Sequence, residues 1–219
     1  MLPFFLKQDK MNDYMQFMSN VMSGYKLTRQ DIYKPLLKDV SGLYVEIGTC
    51  WGGWAEWLRK NTPASHILTV DPYRKYSKES YCDALNEMTQ AECDKKFELV
   101  KTKLIPQGIN MARMTSFDAA RHTEDGCVSF CYIDGNHHYN AVLQDLVCWW
   151  PKVKKGGYLC GDDVDDVGKD HDDEGNVYVV HQPGSFGKYG VAQALQDFKK
   201  VCPSFEYKIV GNQFIARKN

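Results

Sequence analysis

The chain has 219 residues, of which 43% are hydrophobic, and its formal net charge is −1. This length is sufficient for one domain with a substantial core. A near-neutral charge balance lacks the basic character that binding to duplex nucleic acid usually requires, so we expect no nucleic-acid partner. No apolar run approaches the roughly 20 residues of a membrane span. The apolar stretch in the opening MLPFFLKQDK is shorter than that of a secretory signal, and its charges follow it rather than precede it. We therefore expect no association with a membrane.

The eight cysteines contain no C-x-x-C pair, and no Cys/His spacing resembles a zinc site. Several of them lie in apolar runs that have the character of strands, where cysteine behaves as a small hydrophobic residue. We interpret them as reduced thiols, which predicts a cytoplasmic location.

The N-terminal segment has methionine and aromatic residues at mixed helical spacing, which predicts helix over residues 8–38. We therefore divide the chain into an N-terminal helical segment, 1–40, and a following domain, 41–219. The composition of the helical segment suits a contact surface, such as that of a homo-oligomer, and equally suits an ordinary packed helix.

From residue 43 onwards, short apolar runs alternate with helical patterns. The predicted strands cover residues 43–47, 66–71, 109–114, 128–134 and 157–163. The predicted helices cover residues 55–61, 78–104, 116–122, 139–153 and 190–201. A closing hairpin is expected around Gly211 and Asn212. This alternation predicts βαβ units in a mainly parallel sheet, whose ligands bind beyond the carboxyl ends of the strands.

The first predicted strand contains a carboxylate, Glu46, and leads into the glycine-rich loop GTCWGG, residues 48–53. A buried carboxylate is costly unless something pairs with it, and glycines allow a ligand to approach the backbone closely. Asp71 ends the second strand, where an acidic residue can accept hydrogen bonds from both ribose hydroxyls of a nucleotide-containing cofactor. The alternative is a tight turn followed by an aspartate that caps a helix.

The residues VEIGTxxGG and TVDPY resemble the first and second motifs of the class I S-adenosylmethionine-dependent methyltransferases. The resemblance implies a Rossmann-like α/β sandwich, with a mainly parallel sheet and a C-terminal antiparallel hairpin strand, and S-adenosylmethionine as the cofactor. Glu46 and the glycine loop would contact its methionine half, Asp71 its ribose and Ser116 its adenine, beside Phe117. The full set of implied cofactor contacts is Glu46, Gly48, Thr49, Gly52, Gly53, Asp71, Ser116, Phe117 and Asp134.

Acidic residues end two successive predicted strands, Asp134 on one and the pair Asp162 and Asp163 on the next. Neighbouring parallel strands would bring the three carboxylates together, where they would repel one another without a cation. Oxygen ligands suit Mg²⁺ or Mn²⁺, and a bound cation can lower the pKa of an acceptor hydroxyl. The alternative is a capping aspartate followed by a solvated acidic loop.

Residues 132–163 are similar to the macrocin-type and novobiocin-type sugar O-methyltransferases. The similarity lies in the pattern D-G-x-H-x-Y, a following amphipathic helix, K-x-G-G and an acidic pair. It implies that Asp134, Asp162 and Asp163 bind the metal, and that the acceptor is a hydroxyl of a sugar, a deoxysugar or a glycan.

His137 is the predicted general base and, with Asp134, forms the predicted catalytic pair. A neutral imidazole three residues after the metal-binding Asp134 can take the acceptor proton as the methyl group is transferred. Asn136 cannot act as a base, and His138 is the second candidate. The alternative is that His137 forms a structural hydrogen bond in the turn.

Other functions remain open at this point. The acceptor could be a catechol-like phenol, and the chain could be a cofactor-binding module without catalysis. An NAD-dependent oxidoreductase is less well supported, because the spaced glycine fingerprint G-x-G-x-x-G is absent. Residues 175–190 interrupt the strand–helix alternation and suit either a substrate loop, with Tyr178, His181 and Tyr189 near an acceptor, or an ordinary excursion.

Overall fold

The computed structural model describes residues 28–77, 88–164, 169–171, 177–179 and 190–219. Within these ranges one large sheet is flanked by helices on both faces. Its strands are β1 (Gly42–Ile47), β2 (Ala64–Val70), β3 (Ile109–Ala112), β4 (Val128–Ile133), β5 (Val153–Gly161), β8 (Tyr207–Val210) and β9 (Gln213–Arg217). A separate antiparallel pair consists of β6 (Lys169–His171) and β7 (Val177–Val179).

The seven strands follow the order β3-β2-β1-β4-β5-β9-β8. The strands β1 to β5 pair in parallel, whereas β9 pairs antiparallel with both β5 and β8. This is a Rossmann-like α/β fold, and it confirms both the mainly parallel sheet and the C-terminal hairpin expected from the sequence. The strand order reverses at β1, which lies between β2 and β4, so a crevice forms at the carboxyl ends of these strands.

The described helices are α1 (Arg29–Leu37), α2 (Gly53–Asn61), α3 (Gln90–Leu104), α4 (Ser116–Arg121), α5 (Tyr139–Trp149) and α6 (Val191–Val201). The predicted helix 139–153 is shorter than expected, because Pro151 follows closely and the next strand begins at Val153. Of the predicted helix 78–104, residues 90–104 are helical and 78–87 lie outside the described residues.

The apolar residues form two buried clusters, one on each face of the sheet. The cluster under α4, α5 and α6 includes Trp149 and Phe198, and the cluster under α1, α2 and α3 includes Tyr33, Trp54 and Leu104. Helix α1 thus packs against the sheet as part of the second layer. The predicted boundary at residue 40 stays a prediction, because residues 1–27 lie outside the described part of the chain.

Helix α1 begins with a capping box. The Thr28 hydroxyl accepts a hydrogen bond from the Asp31 backbone N–H, and the Asp31 carboxylate accepts one from the Thr28 backbone in return. The buried Tyr33 then packs edge-on against Trp54, Phe130 and Tyr132. The capping box fixes where the helix begins, and the aromatic contacts hold it at the crevice. None of the helices in the described ranges combines the length and the apolar character needed to cross a membrane.

Gly48 fixes the approach of β1 to its neighbours at the crevice. Its N–H donates to the Val70 carbonyl at 2.8 Å, and the Asp134 N–H donates to the Ile47 carbonyl at 2.8 Å. Gly48 has a φ of +92°, and a Cβ built there would lie 1.8 Å from the Asp134 carbonyl oxygen. Only glycine fits at this position without moving the end of β4.

We expect Gly48→Ala to lower the melting temperature by about 10 °C, because the left-handed backbone and the overlap each cost roughly 1–3 kcal/mol in a chain of this size. Gly53→Ala is the matched control: it lies in the same loop, opens helix α2, and has no atom within 4 Å of a built Cβ. Thermal unfolding followed by circular dichroism measures both. Equal melting temperatures for the two variants would contradict the close-approach argument.

Candidate functional site

A cavity of about 610 Å³ opens at the carboxyl ends of β1, β2 and β4. It is lined by most of the residues that the sequence singled out. These are Glu46, Gly48, Thr49, Gly53, Asp71, Ser116, Phe117, Asp134 and His137. Gly52 has a φ of +73° and faces Leu104 instead, so it shapes the loop from behind.

Glu46 lies near the end of β1 and is 1% exposed. Its Oε2 has no hydrogen-bond partner among the described residues. Burial raises the pKa of Glu46 well above its usual range, and the negative charges of Asp134 and Asp71 add to the increase. A buried carboxyl group with an unpaired oxygen beside a cavity is an acceptor that can receive a donor from a bound molecule.

Asp71 follows β2 and faces the same glycine loop. It accepts a hydrogen bond from the Cys50 N–H at 3.0 Å and another from the Tyr73 N–H at 2.8 Å. Burial raises the pKa of its carboxyl group, although these backbone hydrogen bonds act in the opposite direction. Because each carboxylate oxygen can accept two hydrogen bonds, Asp71 keeps acceptor capacity towards the cavity.

Ser116 and Phe117 form another part of the cavity wall, at the start of helix α4. The Trp149 indole donates to the Ser116 hydroxyl at 2.7 Å, which fixes that side chain. Phe117 is 41% exposed, and its ring is therefore available to a planar group in the cavity.

Asp145 lies beside Ser116 and was missed by sequence reasoning. It is 5% exposed on the inner face of α5, it lines the cavity, and burial raises its pKa to about 7 although a hydrogen bond with Ser116 opposes the increase. An acidic residue among Val142, Leu146 and Trp149 on an apolar helix face is a signal that could have identified it.

The acidic edge of the cavity combines the ends of β4 and β5. Ligand atoms of Asp134, His137 and Asp163 all lie within 4.8 Å of one another. His137 Nδ1 lies 3.0 Å from Asp163 Oδ2, and His137 Nε2 lies 3.5 Å from Asp134 Oδ1. The imidazole therefore bridges two carboxylates.

These contacts shift the pKa values of both partners. Burial alone would lower the pKa of His137, but the hydrogen bond with Asp134 and the charges of Asp163, Asp134 and Asp162 raise it above its usual value. Burial would raise the pKa of Asp134, but His137 and Arg29 outweigh that effect and lower it. Asp134 thus stays ionised, and His137 favours its protonated form more than an exposed histidine does.

Asp162 lies outside that cluster and has partners of its own. Its Oδ1 accepts the Asp163 N–H at 2.8 Å and the side-chain amide of Gln213. Its Oδ2 receives Arg29 Nη2 at 3.1 Å and lies 3.4 Å from the Tyr132 hydroxyl. The predicted trio of Asp134, Asp162 and Asp163 is thus close in space, but the cluster with shared ligand geometry contains His137 in the place of Asp162.

Arg29, in the first turn of α1, was also missed by sequence reasoning. Its Nη1 lies 2.7 Å from Asp134 Oδ2 while its Nη2 contacts Asp162. The guanidinium also lies 5.1 Å from the ring centre of Trp54 and 5.2 Å from that of Tyr132. Nothing local in the sequence marks this residue, because Asp134 is 105 positions away.

Of the segment 175–190, the structure describes β7 and Gly190. The Gly190 N–H donates to the His137 carbonyl at 2.7 Å, so the start of α6 supports the turn that carries the histidine. The suggestion that Tyr178, His181 and Tyr189 contact an acceptor concerns side chains outside the described part of the chain.

Comparison with known proteins places this site in a family. A model of the methyltransferase domain family matches residues 45–164, which is more than half of the chain. The chain belongs to this family, and its fold is that of the class I S-adenosylmethionine-dependent methyltransferases. The matched region contains the glycine loop, Asp71 and the whole acidic edge.

The chain is 28% identical over 127 residues to an uncharacterized protein of Acanthamoeba polyphaga mimivirus. That alignment covers 56% of this chain and 52% of the viral protein, so the chain spans about half the length of this relative.

Solved structures share the fold over nearly the whole chain. A proposed caffeoyl-CoA O-methyltransferase from Staphylococcus aureus superposes with a TM-score of 0.57 at 14% identity, covering 94% of this chain and 92% of that one. An O-methyltransferase from Bacillus cereus in complex with SAH superposes with a TM-score of 0.51 at 13% identity, covering 97% and 91%. At these identities the likeness concerns the fold alone.

Proposed function

We propose that the protein is an S-adenosylmethionine-dependent, divalent-metal-dependent O-methyltransferase that acts on a hydroxyl group of a sugar or glycan. The observation that carries the proposal is a single cavity with two chemically different parts. One part presents the glycine loop, Glu46 and Asp71, and the other presents Asp134 and His137. Group transfer to a hydroxyl needs a held donor and a base beside the acceptor, and the two parts supply residues for each.

The cofactor part fits S-adenosylmethionine. The unpaired Glu46 Oε2 can accept from the ammonium group of the methionine half, and the open space at Gly53 leaves room beside the loop. Asp71 is proposed at the ribose, and Ser116 with Phe117 at the adenine. When bound, S-adenosylmethionine supplies an electrophilic methyl group on a positively charged sulfur. The role of the protein is to hold the methyl group in position. The ammonium group of the cofactor would in turn balance the charge of Glu46.

The acidic edge fits a divalent cation. Two carboxylates and an imidazole are an appropriate donor set, and their ligand atoms already lie within 4.8 Å of one another. We propose that Asp134 and Asp163 hold Mg²⁺ or Mn²⁺. The sequence predicted Asp162 as the third ligand, but in the structure His137 lies closer to these two carboxylates. A bound cation would supply positive charge that lowers the pKa of an acceptor hydroxyl.

His137 is proposed as the general base. It is 8% exposed and lines the cavity, so a hydroxyl group bound there could approach the imidazole. The neighbouring carboxylates stabilise the imidazolium that forms when it takes a proton. The same geometry also allows it to be a metal ligand, and a metal-bound nitrogen cannot take a proton.

The acceptor class rests on the likeness of residues 132–163 to sugar O-methyltransferases. A catechol-like phenol is the alternative, and a non-catalytic module is disfavoured because Asp134, His137 and Asp163 remain grouped. The cytoplasmic location, the lack of a nucleic-acid or membrane partner and the homo-oligomer stay predictions.

We expect Asp71→Ala to weaken the binding of S-adenosylhomocysteine at least tenfold, because the lost hydrogen bonds to a charged acceptor are worth about 1.5–3 kcal/mol. Isothermal titration calorimetry on the purified chain measures the change. Asp94→Ala is the control, since it removes an exposed aspartate of α3 that does not line the cavity. Equal affinities for Asp71→Ala and the parent would remove Asp71 from the cofactor site.

We expect methyl transfer to stop in excess EDTA and to recover on addition of Mg²⁺ or Mn²⁺. The assay follows transfer from labelled S-adenosylmethionine to a panel of sugars, deoxysugars, glycans and catechols. Full turnover in excess chelator would contradict the metal requirement. Methylation of catechols alone would favour the phenol over the sugar as the acceptor class. Binding of the cofactor without transfer to any acceptor would favour the non-catalytic module.

We expect His137→Ala to lower turnover by a factor of roughly 10² to 10⁴, the usual contribution of a general base, while the Kd for Mn²⁺ and for S-adenosylhomocysteine stays near the parental value. Weaker Mn²⁺ binding would instead identify His137 as a metal ligand. His138→Ala serves as the control and should have a much smaller effect on turnover.

A further inference from the structure

The acidic edge already contains a cation that belongs to the chain. Arg29 reaches over from α1 and contacts two carboxylates at once, with Nη1 on Asp134 at 2.7 Å and Nη2 on Asp162 at 3.1 Å. Both partners of each contact are charged, and hydrogen bonds between charged groups are stronger than those between neutral groups. The side chain is 29% exposed, so most of it is covered by the rest of the chain.

The position of Arg29 is fixed on its other sides as well. The rings of Trp54 and Tyr132 lie within 5.2 Å of the guanidinium carbon, at distances typical of cation–π contacts. The capping box at Thr28 and Asp31 fixes the first turn of α1, from which the side chain extends. The guanidinium is therefore held by the fold, independently of any bound molecule.

Asp162 is the fixed partner in this arrangement. A carboxylate offers about four lone-pair sites. Three donors reach Asp162: the Asp163 N–H and the Gln213 amide on Oδ1, and Arg29 Nη2 on Oδ2. The Tyr132 oxygen lies 3.4 Å from Oδ2, but its proton is donated to Gln213 Oε1 at 2.6 Å. Both lone-pair sites of Oδ1 are thus used, and a metal ion on Oδ2 would have to lie beside the guanidinium of Arg29, which would repel it.

Asp134 is the exchangeable partner. One of its oxygens contacts Arg29 and the other faces His137, and its side chain is 22% exposed towards the cavity. It belongs to the cluster of potential metal ligands, whereas Asp162 does not. A divalent cation on Asp134 would lie close to the guanidinium, and like charges at such distances repel strongly when partly buried.

We propose that Arg29 is a positioning residue that neutralises Asp134 and Asp162 from within the chain and competes with a divalent cation for Asp134. The inference rests on the cation site of the proposed function. Asp162 then serves as the anchor of Arg29, and the carboxylates left to hold the cation are Asp134 and Asp163, beside His137. Binding of the cation requires Nη1 to leave Asp134 while Nη2 stays on Asp162.

The test measures Mn²⁺ affinity of the full chain by calorimetry, without cofactor or acceptor. We expect Arg29→Met, which keeps an apolar side chain between the two rings, to lower the Kd for Mn²⁺ at least tenfold, because the competing charge is gone. The Kd of Arg29→Lys should lie between those of the parent and Arg29→Met, since a lysine can pair with only one carboxylate at a time. Arg113→Met is the matched control: it removes an arginine from another carboxylate pair, with Asp94, and should leave the Kd unchanged.

Asp162→Asn in the Arg29→Met background provides a second variant, in which no guanidinium is left to move from Asp162 to Asp134. We expect it to keep Mn²⁺ affinity within about threefold of Arg29→Met, because Asp162 is not a ligand in this arrangement. A tenfold or greater loss would make Asp162 a ligand and would overturn the inference. An unchanged or higher Kd in a folded Arg29→Met would also overturn it, and the melting temperature in EDTA shows whether each variant is folded.

These outcomes separate the inference from the proposed function. Equal Mn²⁺ binding by parent and Arg29→Met would reject the competition and leave the metal site in place. Absence of Mn²⁺ binding in every variant would reject both the competition and the metal requirement, while S-adenosylhomocysteine binding would still report on the cofactor site. Binding by Arg29→Met alone would support the competition in its strongest form.

Discussion

Parallel strands that end side by side bring their terminal side chains together, and here those side chains carry like charges. Asp134 follows β4, Asp162 and Asp163 follow β5, and Glu46 lies near the end of β1. Such a cluster can stay ionised only with compensating positive charge nearby. Arg29 supplies that charge from α1, so the first described helix is an integral part of the cavity.

The aromatic side chains that hold α1 against the sheet also flank the guanidinium. Trp54 and Tyr132 each contact both Tyr33 and Arg29. Core packing and charge compensation are therefore coupled on this face of the sheet.

Glu46 shows the cost of building a site into a buried strand. Burial and the charges of Asp134 and Asp71 favour its neutral form, while Arg29 partly offsets them. A cationic group that donates to Glu46 would reverse this balance and would stabilise the ionised carboxylate. The burial of Glu46 lowers the stability of the fold, and a positively charged ligand that pairs with the carboxylate would recover part of that free energy on binding. A neutral ligand would not, so the residue would favour cationic ligands. A polar group that interrupts an apolar strand is expected to lower fold stability where it serves ligand binding.

Sequence reasoning located most of the cavity because strand ends are local features. An apolar run followed by glycine or aspartate identifies a position on the binding edge, and Glu46, Asp71 and Asp134 all line the cavity. The same reasoning could not separate Asp162 from Asp163, because their difference arises from Gln213 and Tyr132, which come from other strands. Arg29 was missed for the same reason, since its contacts span more than a hundred positions and depend on where α1 docks. The strand pattern and the hairpin, which depend on neighbouring residues, were predictable, whereas the pairing of charges depends on tertiary packing.

The adjacent aspartates 162 and 163 illustrate how one turn can separate a structural role from a chemical one. Asp163 has a φ of +59°, so the chain bends sharply after β5 and the two side chains diverge. Asp162 is turned towards Gln213, whose side-chain amide donates to it and so ties the end of β5 to β9. Gln213 in turn accepts the Tyr132 hydroxyl of β4 at 2.6 Å. Asp163 is turned towards His137. The left-handed backbone at a non-glycine residue costs about 1 kcal/mol or more and persists only where surrounding contacts enforce it. Both neighbours of Asp163 are held by the C-terminal hairpin, Asp162 by the Gln213 amide and Val164 by its N–H, which donates to the Asn212 carbonyl at 2.9 Å. The backbone between these two fixed points places the Asp163 carboxylate beside His137.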